Sequence, residues 1–315
     1  MNRQQREKLI AVTKHWSSPM QFDVPMASYS TLRAGGKAAA LIDVHCLVEL
    51  QMLLRQLHEQ QLVFRVIGRG SNILVKDKGF SGVIIRLKGE FENISPVQKN
   101  SDSDENGEEI VYVGSGCSLG SLLSWCTKQG LSGLECMSGI PGSVGGAVRM
   151  NAGALGGEIS DCLHSLVLLD AEGIALQVPK SELQFSYRRA GWGEKNFDTL
   201  IVAFAVFSLK PEAQEGIHSR CAAFLAQRKG KQPTGVASAG SFFKNPAGDA
   251  AGRLIDAAGL KGHCCGEAMI SPVHANFIVN TGGSSAADIL ALMEEVQETV
   301  LQRFSVKLEP EVEIL

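Results

Sequence analysis

The chain has 315 residues, long enough for two or three packed units with room for a cleft. Its 44% hydrophobic and 20% charged residues are ordinary for a globular protein and exclude a disordered or fibrous chain. Thirty basic against 33 acidic residues leave a formal charge of -3, and no Lys/Arg stripe is long enough to track a nucleic-acid backbone, so nucleic acid is not expected as a partner.

The opening Met1 to Ile10 is polar, and Thr13 to Pro19 lacks the apolar core of a secretory leader. The longest apolar stretch, Leu200 to Leu209, is too short for a membrane-spanning helix and reads as a buried strand. The expectation is a soluble, cytoplasmic protein with no membrane partner. Leu47, Leu50, Leu53, Leu54 and Leu57 recur at helical spacing, and Leu62 to Ile67 then forms an apolar run ending at a glycine, which predicts a helix followed by a buried strand. With a further strand at Val83 to Leu87, residues Phe22 to Leu87 read as a small α/β unit.

Strand-like Phe91 to Val97 and Ile110 to Val113 flank Asn100 to Glu109, which holds five acidic residues and no apolar one and reads as a solvated hairpin loop. Ser118 caps a helix whose apolar face is Leu119, Leu122, Leu123 and Cys126. Strands at Ser165 to Asp170, Ile174 to Val178 and Leu200 to Leu209 predict an antiparallel sheet with a turn at Ala171 to Gly173. A boundary is placed near Lys210, followed by a helix over about Ile217 to Arg228. The last helix starts at Ser285 with Asp288 completing a capping box. The tail then alternates Val306, Leu308, Val312 and Ile314 with Glu309, Glu311 and Glu313, as one half-buried strand with three carboxylates on one face. The expected division is an extension over 1–21, units over 22–87 and 88–210, and a C-terminal unit over 211–315.

Eight cysteines contain no Cys-x-x-Cys pair and no zinc-ligand spacing, so they read as small core residues in a reducing compartment, and no metal is expected. Gly68-Arg69-Gly70-Ser71-Asn72 follows the predicted strand directly. It suits a pyrophosphate-binding turn or an ordinary tight turn, and by itself the pattern favours the latter. The run Gly139 to Gly146, continuing through Asn151-Ala152-Gly153-Ala154 to Gly157, is different. So many glycines are costly to order, and a ligand approaching the backbone closely is the better explanation. Two such loops point to a long, phosphate-bearing cofactor.

Taken as residues, Arg188 at the end of a strand-like stretch reads as a solvated charge, and Ser241 reads as a turn or capping serine. Any of Glu309, Glu311 and Glu313 could be a solvated strand carboxylate. The blocks Ile67 to Val75, Gly139 to Ala154, Tyr187-Arg188, Ala239 to Pro246 and Leu308 to Val312 nevertheless resemble, in order, the signature blocks of the UDP-N-acetylenolpyruvoylglucosamine reductases. The resemblance runs from about Tyr29 to the C-terminus.

That resemblance implies an α+β fold. It comprises a two-subdomain FAD-binding pair of the vanillyl-alcohol-oxidase type over 22–87 and 88–210, and a C-terminal α/β substrate-binding domain over 211–315. It implies an FAD-dependent oxidoreductase with non-covalent FAD and NADPH as co-substrate. The reaction converts UDP-N-acetylglucosamine enolpyruvate to UDP-N-acetylmuramate for peptidoglycan precursor synthesis. Cofactor contacts carry over to Gly68, Arg69, Gly70, Ser71, Asn72 and Ile73, and to Pro141, Gly142, Ser143, Gly145, Gly146, Asn151, Gly153 and Ala154. Arg188 is implied to stabilise the enolate-like charge, with Glu311 in the same site and Ser241 as proton donor. Tyr187, Asn245 and His274 are implied substrate contacts, with Lys229 and Lys231 for the diphosphate. The short stretches at Gly191 to Asn196 and after Pro246 resemble the shorter subtype without a tyrosine loop. A monomer is expected, because no heptad seam is visible.

Overall fold

The computed structural model describes residues 1–97, 107–154, 156–193, 195–196 and 200–315. Most of the acidic loop read over Asn100 to Glu109 lies outside the described residues. Seven α-helices occur among them: α1 (Arg3–Thr13), α2 (Leu47–Glu59), α3 (Leu119–Gln129), α4 (Val144–Arg149), α5 (Gln214–Lys231), α6 (Ala251–Ala257) and α7 (Ala286–Phe304). No helix of the described residues is long and apolar enough to cross a membrane. Together with the sheets below, these make an α+β chain.

The chain folds into two discontinuous units, the first built from Met1–Gln21, Leu41–Gly68 and Gly82–Gln227 and the second from Phe22–Ala40, Arg69–Ser81 and Arg228–Leu315. This differs from the consecutive segments read from the sequence, where 22–87 was one unit and a cut fell at Lys210. Within unit 2, Ile73–Leu74 pairs in parallel with Glu313–Ile314. The Asp77 carboxylate accepts the N–H groups of Ala286 and Ala287 at 2.9 and 2.8 Å, and Asn280 Nδ2 donates to the Leu32 carbonyl at 2.9 Å. These pairings, not sequence order, assign the two early segments to the second unit. The Lys210 cut is displaced for a related reason: helical periodicity in α5 does not mark which neighbour each turn meets.

Among the described residues, beside the two-stranded Gly153–Ala154/Gly157–Glu158 pair and a small three-stranded sheet that starts at Leu183–Ser186, two sheets frame unit 1. In the smaller one the strands Lys37–Val44, Phe80–Leu87 and Phe64–Ile67 lie in that order through their unit 1 residues, and Phe64–Ile67 runs parallel to Val83–Arg86. The leucines predicted on α2 are its inner face: Leu50, Leu53, Leu54 and Leu57 are fully buried. The larger sheet is antiparallel, in the order Ala175–Pro179, Leu163–Leu169, Ile201–Pro211, Glu109–Gly114, Ile94–Pro96. Every residue from Ile201 to Phe207 is buried, so both faces of this central strand are covered and its apolar run does not alternate. The predicted turn after Asp170 is built by the aspartate itself, which accepts the N–H groups of Glu172 and Ile174, each at 2.9 Å. Ser118 caps α3 by accepting from Ser121 N–H.

Unit 2 has a four-stranded antiparallel sheet in the order Ala237–Ser238, Ile278–Asn280, Ala268–Ile270, Cys264–Cys265. Helix α7 buries Ile289, Leu292, Val296 and Val300 in a core with Phe242, Phe243 and Leu254. Its capping box forms as predicted, Ser285 Oγ accepting from Asp288 N–H at 3.0 Å and the Asp288 carboxylate accepting from Ser285 N–H at 2.9 Å. The C-terminal tail departs from the expected single strand. Only Glu313–Ile314 is strand, while Pro310 stands opposite Phe243 in an isolated bridge. Proline has no N–H to donate, so a ladder cannot run through it, and Glu309, Glu311 and Glu313 do not lie along one strand.

Candidate active site

The strand Phe64–Ile67 ends at Gly68, which lies so close to Ser143 that a Cβ at this glycine would stand 2.1 Å from Ser143 Oγ. A groove opens here within unit 1, lined by Gly68, Ser115, Gly116, Ser143, Gly145, Gly146 and Arg149, with Ile201 and Val202. The first glycine of one predicted block thus meets Ser143, Gly145 and Gly146 of the other. Two N–H groups of the α4 turn are already engaged, Val144 with the Cys117 carbonyl at 2.9 Å and Gly145 with Ser115 at 2.8 Å. Gly142 is fixed by its carbonyl, which accepts from Leu119 N–H at 3.1 Å, and Pro141 before it is exposed. Ser115, 3% exposed, carries a hydroxyl with no hydrogen-bond partner. Neither Ser115 nor Gly116 was singled out from the sequence, although the serine between two glycines, ahead of the Ser118 cap, was a signal that could have found them.

The rest of the second block reaches the Tyr187-Arg188 turn. Asn151 is fully buried with φ +44°, and its Nδ2 donates to Glu158 Oε2 at 2.6 Å and to the Ser186 carbonyl at 3.3 Å, while its Oδ1 has no partner. Gly153–Ala154 pairs with Gly157–Glu158. Tyr187 and Arg188 form the two-residue tip between Leu183–Ser186 and Arg189–Trp192. Arg188 has φ +57°, a conformation uncommon for a residue with a side chain. Its guanidinium lies 5.0 Å from the Tyr187 ring centroid, and Nη1 donates to the Gly153 carbonyl at 3.3 Å.

The remainder of the first block belongs to unit 2. Gly70 has φ +68° and no room for a side chain, since a Cβ would fall 1.8 Å from the Tyr29 carbonyl oxygen. Its own carbonyl accepts from Thr31 N–H at 3.0 Å. Arg69 beside it is exposed, Ser71 is half-buried, and Ile73 pairs with Glu313. Asn72 ties this block to the last one, its Nδ2 donating to the Glu311 carbonyl at 3.0 Å.

Also in unit 2, Ser241 and Glu311 are drawn together through one residue: Glu311 N–H donates to the carbonyl of Phe242 at 2.8 Å, and Phe242 follows Ser241 directly. Glu309 is tied to the same segment, its carbonyl accepting from Lys244 N–H at 2.9 Å, but it is exposed and its carboxylate pairs with Lys244 at 3.6 Å. Asn245 Oδ1 accepts from Ala251 N–H at 3.0 Å, at the start of α6. His274 is half-buried, and its Nδ1 accepts from Asn276 N–H at 3.2 Å, which leaves the ring proton on Nε2. Burial, with the Lys261 charge nearby, holds its pKa below the usual value. Lys229 and Lys231 are exposed in the last turn of α5, where cations also suit the helix dipole. Among the described residues no cluster of His, Cys, Asp or Glu could hold a metal.

Residues 38–178 match the family model described as FAD binding domain, and residues 232–315 match that of the UDP-N-acetylenolpyruvoylglucosamine reductase C-terminal domain. The reductase of that name from Carboxydothermus hydrogenoformans is 42% identical over 304 residues, covering 96% of each chain. That of Agathobacter rectalis is 43% identical over 296 residues, 93% of each. The crystal structure of the reductase from Thermus caldophilus superposes with a TM-score of 0.77 at 38% identity, covering 94% of this chain and 98% of that one. With its glycine-lined groove, its FAD-binding domain and these relatives matched almost end to end, the chain belongs to the UDP-N-acetylenolpyruvoylglucosamine reductase family.

Proposed function

We propose that this FAD-dependent enzyme reduces the enolpyruvyl ether of UDP-N-acetylglucosamine enolpyruvate to UDP-N-acetylmuramate with NADPH, with Arg188, Ser241 and Glu311 as its catalytic residues. The single observation that carries the cofactor part is the unit 1 groove. It is walled by glycine backbone, and Ser115 Oγ at its edge is a buried polar atom awaiting a partner. Gly68, Ser143, Gly145 and Gly146 would hold FAD there. When bound, FAD supplies the two-electron carrier between NADPH and the substrate. Among the described residues the groove lining contains neither His nor Cys, in keeping with non-covalent attachment.

Arg188 is assigned to the substrate carboxylate. Its planar fork is pre-set by Gly153 and the Tyr187 ring, and a fixed guanidinium stabilises negative charge as it develops there. Ser241 is assigned as donor of the proton to the substrate carbon. A serine hydroxyl is a weak acid, so this requires accurate placement beside a strongly basic carbon. Glu311, joined to the same segment through Phe242, is the carboxylate assigned beside it. Tyr187, Asn245, His274, Lys229 and Lys231 are assigned to the nucleotide sugar, His274 as a neutral donor through Nε2. The remaining glycine-loop residues, Arg69 to Ile73, Pro141, Gly142, Asn151, Gly153 and Ala154, are assigned to the cofactor side. We read the enzyme as a cytoplasmic monomer of peptidoglycan precursor synthesis; its eight free cysteines suit a reducing compartment.

The test is anaerobic stopped-flow spectroscopy. NADPH should bleach the flavin, and the enolpyruvyl nucleotide sugar should restore its colour. Rapid recolouring by oxygen with no such acceptor would instead identify an oxidase.

A further inference from the structure

Asn276 is 4% exposed and spends its whole side chain on the backbone of one residue. Its Oδ1 accepts from Phe243 N–H at 2.9 Å and its Nδ2 donates to the Phe243 carbonyl at 2.8 Å, while its own carbonyl accepts from Phe242 N–H at 2.7 Å. A side-chain amide thus takes the place of a neighbouring strand along Phe242-Phe243. On the other side the same segment is held by Glu311 N–H on the Phe242 carbonyl and by Lys244 N–H on the Glu309 carbonyl, at 2.8 and 2.9 Å.

Upstream, Ala237–Ser238 pairs with Val279–Asn280 and Ala239 is 4% exposed. Between these and Ser241 stands Gly240, which has φ +78° and open space where a Cβ would stand. On its downstream side Ser241 is set by Phe242 and Phe243, which are 0% and 1% exposed and cannot re-pair with water. We propose that Asn276 is the positioning residue for Ser241: by clamping Phe242-Phe243 between itself and the Glu309–Glu311 segment, it fixes the hydroxyl against the carbon it protonates. This rests on the reading of Ser241 as proton donor. A directed transfer from a weak acid is sensitive to placement, and a displacement of about 1 Å is enough to cost roughly 10²-fold.

The test uses the full-length holoenzyme with Asn276→Asp, which keeps the acceptor for Phe243 N–H but loses the donor to its carbonyl. Asn276→Ala, which loses both, serves as the second variant. Each is made alone and with Ser241→Ala, and both half-reactions are followed by anaerobic stopped flow. The expected result is flavin reduction by NADPH within twofold of wild type, reoxidation by the enolpyruvyl substrate slowed roughly 10–10²-fold, and little further loss when Ser241 is already alanine. Three results overturn the proposal: equal slowing of both half-reactions, reoxidation within twofold of wild type, or a fold loss that is the same in both backgrounds. The foundation fails separately. If Ser241→Ala alone reoxidises at the wild-type rate, the proton-donor reading falls and takes this proposal with it, whatever Asn276 does.

Discussion

Arg188 Nη1 donates to the carbonyl of Gly153 at 3.3 Å, a contact between residues 35 apart in the chain. It joins the tip of the Leu183–Ser186 hairpin to the second glycine-rich block, whose Asn151 also grips the hairpin through the Ser186 carbonyl. The side chain assigned to the substrate carboxylate is thereby built into the wall of the loop assigned to the cofactor. Its φ of +57° is the backbone cost of pointing it there.

Arg188→Lys is expected to be nearly as damaging as Arg188→Ala. Lysine keeps the charge but not the planar fork that reaches the Gly153 carbonyl and the substrate together. Both should slow reoxidation of the flavin by roughly 10²–10³. Arg188→Gly should be as inactive with no lower melting temperature, because glycine accepts a positive φ without strain. A lysine variant retaining most of the reoxidation rate would remove Arg188 from this role.

Gly68→Ala is expected to weaken flavin binding and to destabilise the chain by about 1–3 kcal/mol, since the new methyl would sit 2.1 Å from Ser143 Oγ and 3.0 Å from its Cβ. Pairing it with Ser143→Gly clears both atoms and should recover most of the lost affinity. Flavin dissociation constants and melting curves of the apoprotein check this, and an unchanged Gly68→Ala variant would contradict the packing.

Ser241→Ala should separate the half-reactions. Reduction by NADPH should proceed near the normal rate, while reoxidation by the substrate falls by roughly 10²–10⁴, the usual contribution of a positioned acid. Ser241→Cys, with a more acidic hydrogen, should restore part of it. A serine that merely shaped the turn would give a loss of about 1 kcal/mol in stability and no such separation.

Thiol reactivity should follow burial. Burial pushes Cys117 up to about 11 and Cys126 up to about 12, whereas Cys264 is exposed. Near pH 8, a maleimide should label Cys264 first and leave Cys117 and Cys126 intact until the chain is denatured. Early modification of Cys126, read by peptide mass spectrometry, would show that the α3 core opens.

His274 should leave a signature in the pH dependence of stability. Its folded pKa lies below the usual 6.5, mainly because it is buried. In the window below 6.5 the unfolded chain therefore binds more protons, so the native state loses stability as pH falls through it and regains it as pH rises. His274→Gln should flatten the melting-temperature curve there. Parallel curves for the two proteins would show that His274 titrates normally.

Much of this chain was legible one segment at a time. The leucines of α2, the Ser118 cap and the Ser285–Asp288 box were all found where expected, because each signal lies within four residues of its partner. The tail was misread as a single strand because apolar alternation across Pro310 looks the same whether or not a ladder exists. Asn276 gave no local sign, since a buried asparagine that pairs with a distant peptide has the same one-letter neighbourhood as a turn asparagine.

By itself the sequence determined α2, α3, α5 and α7, the Ser118 and Ser285 caps, the two glycine-rich loops and the family, all of which rest on side chains close together in the chain or on blocks in fixed order. The tertiary structure alone decided that Phe22–Ala40 and Arg69–Ser81 belong with the C-terminal unit, that Ser115 lines the groove, and that the Glu311 N–H meets the Phe242 carbonyl. The reason is the reach of the contacts involved. Asn72 and Glu311 meet across 239 residues through one amide and one carbonyl, and a backbone carbonyl is the same group in every residue, so no choice of amino acid announces the partner.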